Sequence, residues 1–472
     1  MSRIPMPDVI VLIPGIMGSA LRKGGKDVWD VSTGAVLSAL FSRGDSLQEL
    51  RLPAGSDGLD PQDGITPKRL MPDVHIIPGL WKIDGYRKAS DTIQAVFEVS
   101  PGVNFVEFPY DWRLDNRLAA KRLQTELGEG LLRRWRQDTN NPDAKLIIVG
   151  HSMGGLVARY YLECMEGWRD TRALLTFGTP YRGSVNSLDT LANGCYKGPR
   201  QLLDLSETVR SFTSTYQLLP TYRCYAAGPG SPWVRIGETT GIPNVDPGRA
   251  AAALAFHHEI RDAVTRNQQD DEYRQRGYKI FPIVGIEQPT NQSGRLTDGR
   301  VELLREYTYA DGSVHDDLGD GTVPRASATP IELEGSARGM YAADRHASLQ
   351  NADAGLTHLK GAIFGLYDPL GEYLAPAVVN ITLSLDLDDI YWTDDTIPVR
   401  VRPSVDGTAI DATISSTTTG AVVARKTLAP AGDTWQEATF DPLPPDVYRV
   451  TVSGGTAVEQ VADIFTTLTP PA

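Results

Sequence analysis

The sequence predicts a large α/β domain with a doubly wound, mainly parallel sheet, followed by a smaller all-β sandwich. Strand-like and helix-like segments alternate along most of the chain, which is the order of a parallel sheet with crossover helices. From about residue 373 the composition changes to Val, Thr and Ile in short alternating runs between turn signals. We therefore expect an α/β domain at residues 1–372 and an immunoglobulin-like sandwich at residues 373–472.

The first core strand is expected at residues 8–13, whose apolar run alternates too little for a half-exposed strand. A glycine-rich turn from Pro14 to Ser19 follows it directly. Glycines let backbone N–H groups approach a substrate carbonyl closely, so the turn suits an oxyanion-binding role with the Met17 amide as donor. An ordinary tight loop is the alternative interpretation.

Residues 20–80 interrupt the expected alternation with frequent glycine and proline, and we interpret them as a cap insertion. Their apolar stretch at 35–41 suits either a lipid-contacting segment or a buried part of the cap. The pattern then predicts a helix near 86–98, a strand at 104–108 and a helix from about 116 to 137 with one apolar stripe.

The next strand, at 145–149, leads into Gly150-His151-Ser152-Met153-Gly154. A serine on a strained strand-to-helix turn, a nucleophile elbow, needs minimal side-chain volume two residues before it and two after it, and both positions here are glycine. This predicts an α/β-hydrolase fold with Ser152 as nucleophile. The Met153 amide, at the start of the helix, is the second candidate oxyanion donor.

Downstream of the elbow, the sequence predicts three further core elements and a second cap. A short strand is expected at 172–177, and residues 184–275 then show helices and loops with few strand signals, an excursion typical of a cap or lid. Strands at 279–285 and 339–342 restore the sheet, and a helix at about 354–366 closes the domain.

A serine nucleophile needs a base, and in this fold the chain order is Ser, then Asp or Glu, then His. Of the seven histidines, four precede the nucleophile, lie inside the elbow or fall in the predicted second cap: His75, His151, His257 and His258. His358 falls in the last predicted helix, and His315 precedes the best acid. His346 follows a strand in a loop and is the candidate base.

Asp320 is the candidate acid, because it lies between two glycines before Thr322-Val323-Pro324 in a turn sharp enough to aim its carboxylate at an imidazole. Asp316 and Asp317 are the alternatives. Asp111 would have the wrong chain order.

Composition excludes several classes of function. The net charge of −13, from 59 acidic and 46 basic residues, argues against a nucleic-acid partner and against strong attraction to an anionic membrane. The three cysteines, Cys164, Cys195 and Cys224, lack metal-ligand or disulfide spacing, and no Asp/Glu/His cluster indicates a metal. We therefore expect no cofactor and no metal.

Two observations bear on location. No apolar run approaches the length of a membrane span, and the first residues lead straight into the first core strand without a secretory signal. Together with the sparse cysteines, these observations lead us to expect a cytoplasmic protein that is at most peripheral to a membrane.

Five motifs in the expected order resemble the lecithin:cholesterol acyltransferase family over about residues 8–367. They are Ile13-Pro14-Gly15-Ile16-Met17-Gly18, Pro109-Tyr110-Asp111-Trp112-Arg113, Gly150-His151-Ser152-Met153-Gly154-Gly155, Gly319-Asp320-Gly321-Thr322-Val323-Pro324 and His346. The resemblance implies a triad of Ser152, Asp320 and His346, an oxyanion hole of the Met17 and Met153 amides, and a mobile lid after Gly183. The appended sandwich and the absence of a signal and suitably placed cysteines depart from secreted family members.

We therefore predict a serine hydrolase or acyltransferase that acts on a lipid ester, with a glycerophospholipid as the expected substrate, through an acyl-enzyme. Contact with a membrane or lipid aggregate follows from that substrate. A soluble carboxylesterase and a membrane-degrading effector or toxin are alternatives, as is an interaction protein whose hydrolase domain is vestigial. The sandwich is expected to pack on the first domain or to bind a protein partner, since it shows no catalytic constellation.

Overall fold

The computed structural model describes residues 3–30, 48–53, 58, 62–72, 75–77, 81–197, 203–309, 311–333, 339–367, 381–432, 434–455 and 458–470. The apolar stretch predicted at 35–41 lies outside these ranges, as does the predicted domain boundary at 372/373.

A six-stranded parallel sheet forms the centre of the first domain. Its strands, in chain order, are β1 Val9–Ile13, β2 Phe105–Glu107, β3 Leu146–His151, β4 Thr171–Phe177, β5 Lys279–Gly285 and β6 Met340–Ala342. Their spatial order is β6-β5-β4-β3-β1-β2, and every neighbouring pair is parallel. Strands β1 and β3 are buried along their whole length, so both faces of the sheet are covered. This confirms the predicted fold class.

Helices connect and cover these strands. They are α1 Arg87–Val96, α2 Asn116–Leu123, α3 Arg133–Asp138, α4 Met153–Cys164, α5 Val185–Ala192, α6 Ser206–Ser211, α7 Thr213–Gln217, α8 Pro247–Asn267, α9 Asp271–Arg276 and α10 Asp353–Phe364. Helix α2 packs on α4, and α1 packs on α10. Short 3-10 turns lie at Gly167–Asp170, Ile236–Glu238, Ile331–Leu333 and Leu349–Asn351.

The helix predicted from 116 to 137 is present but not uniform. Its middle, Gln124–Leu132, is π-helical between α2 and α3. Gly128 lies in this widened part, and a Cβ there would come 3.0 Å from the Tyr161 hydroxyl of α4. The hydrophobic stripe indicated the helix correctly but carries no signal for the change of hydrogen-bond pattern.

The two predicted cap segments contain their own small elements. In the first, Ser19–Lys23 pairs with Lys26–Trp29 and Ile65–Leu70, and His75–Ile77 pairs with Trp81–Ile83. The second holds α5 to α9. Side chains of α5, α7 and the start of α8, such as Leu188 and Tyr216, form a separate hydrophobic cluster with Ile236, whereas Val209 of α6 and Phe256 of α8 belong to the main core.

The remaining short strands lie outside the main sheets. They pair as Ile4–Pro5 with Phe97–Glu98, Tyr196–Lys197 with Leu203–Asp204, Tyr307–Thr308 with Val314–His315, and Ser293–Thr297 with both Tyr225–Ala226 and Arg300–Leu304.

The C-terminal region is a sandwich of two sheets. Its strands are β7 Leu383–Asp386, β8 Ile390–Trp392, β9 Ile397–Pro403, β10 Ile410–Ser416, β11 Val422–Thr427, β12 Ala429–Pro430, β13 Gln436–Phe440, β14 Asp446–Gly454 and β15 Val461–Leu468. One sheet has the order β7-β9-β13-β12 and the other β8-β15-β14-β10-β11. Alternate side chains of both sheets, such as Val399 and Val450, meet in one core.

Among the helices that the structure describes, none is both long and apolar enough to cross a membrane. The longest, α8, has 21 residues but carries charged side chains along its length.

Candidate active site

Ser152 lies between the end of β3 and the first turn of α4, where the predicted elbow places it. Its backbone has φ 51° and ψ −126°, a conformation that a residue with a side chain rarely adopts. The Ser152 amide donates to the Phe177 carbonyl of β4 at 2.8 Å, and its carbonyl accepts from the Thr179 hydroxyl at 2.9 Å. These contacts hold the strained residue in place.

Gly150, Gly154 and Gly155 of the elbow are required by close approaches, of backbone at the first two and of a side chain at the third. A Cβ on Gly150 would lie 2.9 Å from the Gly155 amide nitrogen, and one on Gly154 would lie 2.5 Å from the Pro14 carbonyl oxygen. A Cβ on Gly155 would lie 2.0 Å from the Thr179 hydroxyl oxygen. Each distance is far below van der Waals contact, so the strand, the helix and the Pro14 turn can meet only around glycine.

The structure brings Ser152, His346 and Asp320 together, although they are far apart in the chain. His346 Nε2 lies 2.9 Å from Ser152 Oγ, and His346 Nδ1 lies 2.7 Å from Asp320 Oδ2. A carboxylate can only accept, so Nδ1 carries the proton and donates to Asp320, which leaves Nε2 free to accept from the Ser152 hydroxyl. All three side chains are buried. The imidazole is thus in the tautomer that a general base requires.

The Asp320 carboxylate is held on its other side by its own turn. Asp320 Oδ1 accepts from the amides of Thr322 at 2.9 Å and Val323 at 2.7 Å. The Asp320 carbonyl accepts from the His346 amide at 2.8 Å, which ties the acid loop to the base loop. The alternatives bond elsewhere: Asp316 Oδ1 accepts from Gln292 and the Leu318 amide, and Asp317 accepts from the Tyr309 hydroxyl.

Two glycines at the ends of core strands make room for this acid, and sequence reasoning missed both. A Cβ on Gly178, just after β4, would lie 2.7 Å from Asp320 Oδ2 and 3.0 Å from His346 Nδ1. A Cβ on Gly285, the last residue of β5, would lie 2.3 Å from the Asp320 Cβ. Their signal in the sequence is only their position at strand ends, which many glycines share.

The turn after β1 packs against the elbow. A Cβ on Gly15 would lie 2.9 Å from the Ser152 Cβ, and Met17 has a positive φ of 61°. Within the described ranges, neither the Met17 amide nor the Met153 amide donates a hydrogen bond. Donors without partners beside a nucleophile are what an oxyanion hole requires, and the role of these two amides stays a prediction.

A buried chain of hydrogen bonds that the sequence did not reveal runs beneath the site. The Gly15 amide donates to the Tyr86 hydroxyl at 2.8 Å, and that oxygen lies 2.8 Å from His151 Nδ1. His151 Nε2 lies 3.1 Å from the His346 carbonyl oxygen. Because a carbonyl only accepts, Nε2 donates there, and Nδ1 accepts from Tyr86. The chain thereby connects the Pro14 turn, the elbow and the base loop.

His151 is neutral in this chain. Burial, with the neighbouring His346 charge as a smaller cause, lowers the pKa of His151 to about 3. Sequence reasoning set His151 aside as a candidate base and carried no signal for its hydrogen-bond partner, because Tyr86 is 65 residues away.

The Pro109-Tyr110-Asp111-Trp112-Arg113 block supports the same turn. The Tyr110 hydroxyl donates to the Pro14 carbonyl at 3.1 Å, and Trp112 Nε1 donates to the Ser19 carbonyl at 3.0 Å. Arg113 is fully buried and bonds the carboxylates of Asp111 and Asp63. The hydrogen bonds described for these side chains thus hold the glycine-rich turn and do not involve Ser152, Asp320 or His346.

In the part of the chain that the structure describes, no cluster of three or more His, Cys, Asp or Glu side chains could hold a metal ion. The described cysteines are free thiols, and Cys195 and Cys224 are buried.

Comparison with known proteins identifies the family that this chain resembles. Residues 81–233 match the family described as Lecithin:cholesterol acyltransferase, a range that includes the Pro109–Arg113 block and the elbow. The match confirms the resemblance drawn from the motifs in this range.

Individual relatives are more distant. The uncharacterized protein YJR098C of Saccharomyces cerevisiae is 29% identical over 154 residues, which are 33% of this chain and 20% of the yeast protein. The match thus spans about a fifth of that relative's length.

Among solved structures, the mature lipase BlEst2 of Bacillus licheniformis has a TM-score of 0.30 at 13% identity, over 78% of this chain and 95% of the lipase. Phospholipase PlaB of Legionella pneumophila has a TM-score of 0.26 at 8% identity, over 98% of this chain and 92% of PlaB.

Proposed function

We propose that this protein is a serine acyl hydrolase or acyltransferase that acts on lipid esters, with a glycerophospholipid as acyl donor. The observation that carries the proposal is the pair of hydrogen bonds made by His346: Nε2 accepts from the Ser152 hydroxyl at 2.9 Å, and Nδ1 donates to the Asp320 carboxylate at 2.7 Å. A serine held on a strained turn with a correctly protonated imidazole beside it is the arrangement used for acyl transfer.

The first half-reaction forms an acyl-enzyme. As Ser152 Oγ attacks the ester carbonyl carbon, its proton passes to His346 Nε2, and Asp320 stabilises the imidazolium that forms. The carbonyl oxygen becomes an oxyanion, for which the amides of Met17 and Met153 are the proposed donors. His346 then gives its proton to the leaving alcohol oxygen as the carbon–oxygen ester bond breaks.

The second half-reaction determines whether the protein hydrolyses or transfers. Water or a second alcohol attacks the acyl carbon with His346 as base, and the acyl group leaves Ser152 as a fatty acid or as a new ester. Both outcomes use the same residues, so the product depends on which acceptor reaches the acyl-enzyme.

Two observations support a lipid substrate. The family matched by residues 81–233 is described by acyl transfer from lecithin, a glycerophospholipid. Within that range, Tyr110 and Trp112 bond the Pro14 turn that carries a proposed oxyanion donor, so the motif that resembles the family also supports the catalytic geometry. Contact with a membrane or lipid aggregate follows as part of the proposal.

The test is product analysis by mass spectrometry after incubation with mixed phospholipid vesicles, with and without a long-chain alcohol. Lysophospholipid and fatty acid indicate hydrolysis, and a new alkyl ester indicates transfer. Ser152→Ala should abolish both products, whereas Ser100→Ala, which changes an exposed serine, should not. Product formation that survives Ser152→Ala would overturn the proposal.

A second arm compares the same protein on a dissolved short-chain ester. Activity that rises when the ester is presented in vesicles supports a lipase, and activity restricted to the dissolved ester would replace the lipid substrate with a soluble one. The Ser152 chemistry would then stand while the substrate class failed.

A further inference from the structure

The C-terminal sandwich contacts the first domain at the two loops that carry the acid and the base. In β15, Asp463 Oδ2 accepts a hydrogen bond from Arg345 Nε at 2.9 Å. The same oxygen lies 2.9 Å from Arg345 Nη2. Arg345 immediately precedes His346 in the chain. The sandwich therefore holds the residue adjacent to the proposed base.

The charge of Arg345 is balanced mainly from the sandwich. Burial disfavours the charged form of Arg345, but the carboxylates of Asp463, Asp389 and Asp386 favour it. The pKa of Arg345 is therefore raised. The Asp463 side chain is 1% exposed and that of Arg345 is 15% exposed, so water screens this pair little. A buried pair of this kind fixes the position of both partners.

Arg345 also lies against the acid turn. A Cβ on Gly321 would come 3.2 Å from Arg345 Nη1, and Gly321 directly follows Asp320. The same arginine thus lies between the sandwich on one side and the backbone beside the acid on the other.

A second connection runs through Gln288, whose side chain is fully buried. Gln288 Nε2 donates to the Leu383 carbonyl at 2.9 Å, and Gln288 Oε1 accepts from the Leu385 amide at 3.0 Å, so the side-chain amide pairs with strand β7 of the sandwich. The Gln288 backbone exchanges hydrogen bonds of 2.9 and 3.1 Å with Gly319, the residue before Asp320. Nearby, the Ser384 hydroxyl of β7 donates to the Glu287 carbonyl.

We propose that the sandwich is a positioning element of the active site: Asp463 acts through Arg345 on the His346 loop, and β7 acts through Gln288 on the Asp320 turn. Arg345, Asp463 and Gln288 are positioning residues, since they touch neither substrate nor the reacting atoms. The inference rests on the proposed function, because it assigns these contacts to the alignment of a catalytic acid and base. A small displacement of either loop lengthens the 2.7 Å bond on which the tautomer of His346 depends.

The test compares Asp463→Asn with Asp411→Asn in the full-length protein. Both variants remove an aspartate charge from the same five-stranded sheet. Asp411 is the control, because it pairs at 2.8 Å with Arg425, an arginine of the sandwich itself. With a 4-nitrophenyl ester as probe, Asp463→Asn should lower kcat by about 10- to 100-fold with KM nearly unchanged, and Asp411→Asn should change neither. Asp463→Glu should recover part of kcat.

A second variant and a second measurement distinguish a change in loop position from unfolding of the protein. Gln288→Met keeps the side-chain volume but loses both bonds to β7, and it should lower kcat in the same way. Hydrogen–deuterium exchange should increase in peptides covering 318–324 and 343–348 in Asp463→Asn but not in Asp411→Asn, while the amides of β3 stay protected.

The outcomes separate this inference from the proposed function. Wild-type protein that cleaves the soluble ester but not vesicle lipid would overturn only the lipid substrate, and the kcat comparison would still decide the inference. Wild-type protein that cleaves neither would overturn the proposed function, and the exchange comparison would then decide whether the sandwich holds the two loops. Folded Asp463→Asn protein with wild-type kcat and wild-type exchange in these peptides would overturn the inference.

Discussion

Ser152, the proposed nucleophile, and its proposed partners Asp320 and His346 are held in place by contacts of different kinds. The elbow around Ser152 is fixed by steric fit, because Gly150, Gly154 and Gly155 each face backbone or side-chain atoms that leave no room for a Cβ. The loops of Asp320 and His346 are held by directional polar contacts, some of them with residues more than 90 positions away in the chain, such as Asp463 with Arg345 and His151 with the His346 carbonyl. The elbow glycines can be recognised from their spacing in the sequence, even though an atom they face, such as the Pro14 carbonyl oxygen, lies far along the chain, whereas the polar contacts have no such sequence signal.

The largest expected effect is on the polar side of this comparison. Asp320→Asn should lower kcat by about 10⁴-fold with little change in stability, since an amide keeps the shape but no longer holds the His346 tautomer. Steady-state kinetics on a soluble ester would measure it. Asp317→Asn is the matched control, because Asp317 bonds Tyr309 and not the imidazole, and it should retain wild-type kcat. Equal losses in the two variants would mean that the acid is wrongly assigned.

On the steric side, Gly155→Ala should destabilise the fold by about 3 kcal/mol or more. The added Cβ would lie 2.0 Å from the Thr179 hydroxyl oxygen, and Thr179 is itself buried and bonded to the Ser152 carbonyl. Chemical unfolding would measure the loss. Gly361→Ala, in helix α10 with no heavy atom within 4 Å of the new Cβ, should be neutral or slightly stabilising. A Gly155→Ala protein as stable as the control would disprove the steric account of the elbow.

The hydrogen-bond chain under the elbow gives a smaller effect. Tyr86→Phe leaves the Gly15 amide and His151 Nδ1 without their partner and should lower stability by about 1 to 3 kcal/mol. Tyr391→Phe, which removes a hydroxyl that accepts from the Asp388 amide in the sandwich, is the comparison. We expect kcat to fall only in Tyr86→Phe, since only that chain reaches the base loop. Unchanged kcat in both would confine Tyr86 to a structural role.

The smallest expected effect is a pH dependence that differs between the two regions. Burial, with Glu459 and Asp84 as acidic neighbours and Lys88 opposing them, raises the pKa of Asp344, two residues before His346, to about 8. The folded protein therefore holds a proton between pH 4 and 8 that the unfolded chain has lost, and stability falls as the pH rises through this window. His151 at the elbow acts in the opposite direction, because its pKa of about 3 makes stability fall as the pH drops below 6.5.

The free energy of unfolding at pH 6.5 and at pH 8 measures the part of this pH dependence that comes from Asp344. Over this interval wild-type protein should lose about 1.5 kcal/mol more than Asp344→Asn, which is less than the full slope of about 1.4 kcal/mol per pH unit because Asp344 is half deprotonated at pH 8. Identical losses of stability in wild-type protein and Asp344→Asn would mean that Asp344 does not cause this pH dependence.

The same division explains how much of the site the sequence revealed. The elbow, the parallel sheet and the sandwich were predictable because glycine spacing and apolar periodicity express constraints between neighbouring residues. The acid remained open among Asp316, Asp317 and Asp320, since the choice depends on glycines at the ends of β4 and β5 that only the folded sheet brings together. Tyr86 and Asp463 had no signal at all, because each meets its partner across a long stretch of chain.

The central claim, that Ser152 is activated by His346 and Asp320, is tested most directly by labelling with a fluorophosphonate probe followed by peptide mapping. Wild-type protein should carry the label on Ser152, and the labelling rate should fall by orders of magnitude in His346→Ala and Asp320→Asn while Asp317→Asn keeps the wild-type rate. A label on another residue, or an unchanged rate at Ser152 in His346→Ala, would contradict the account.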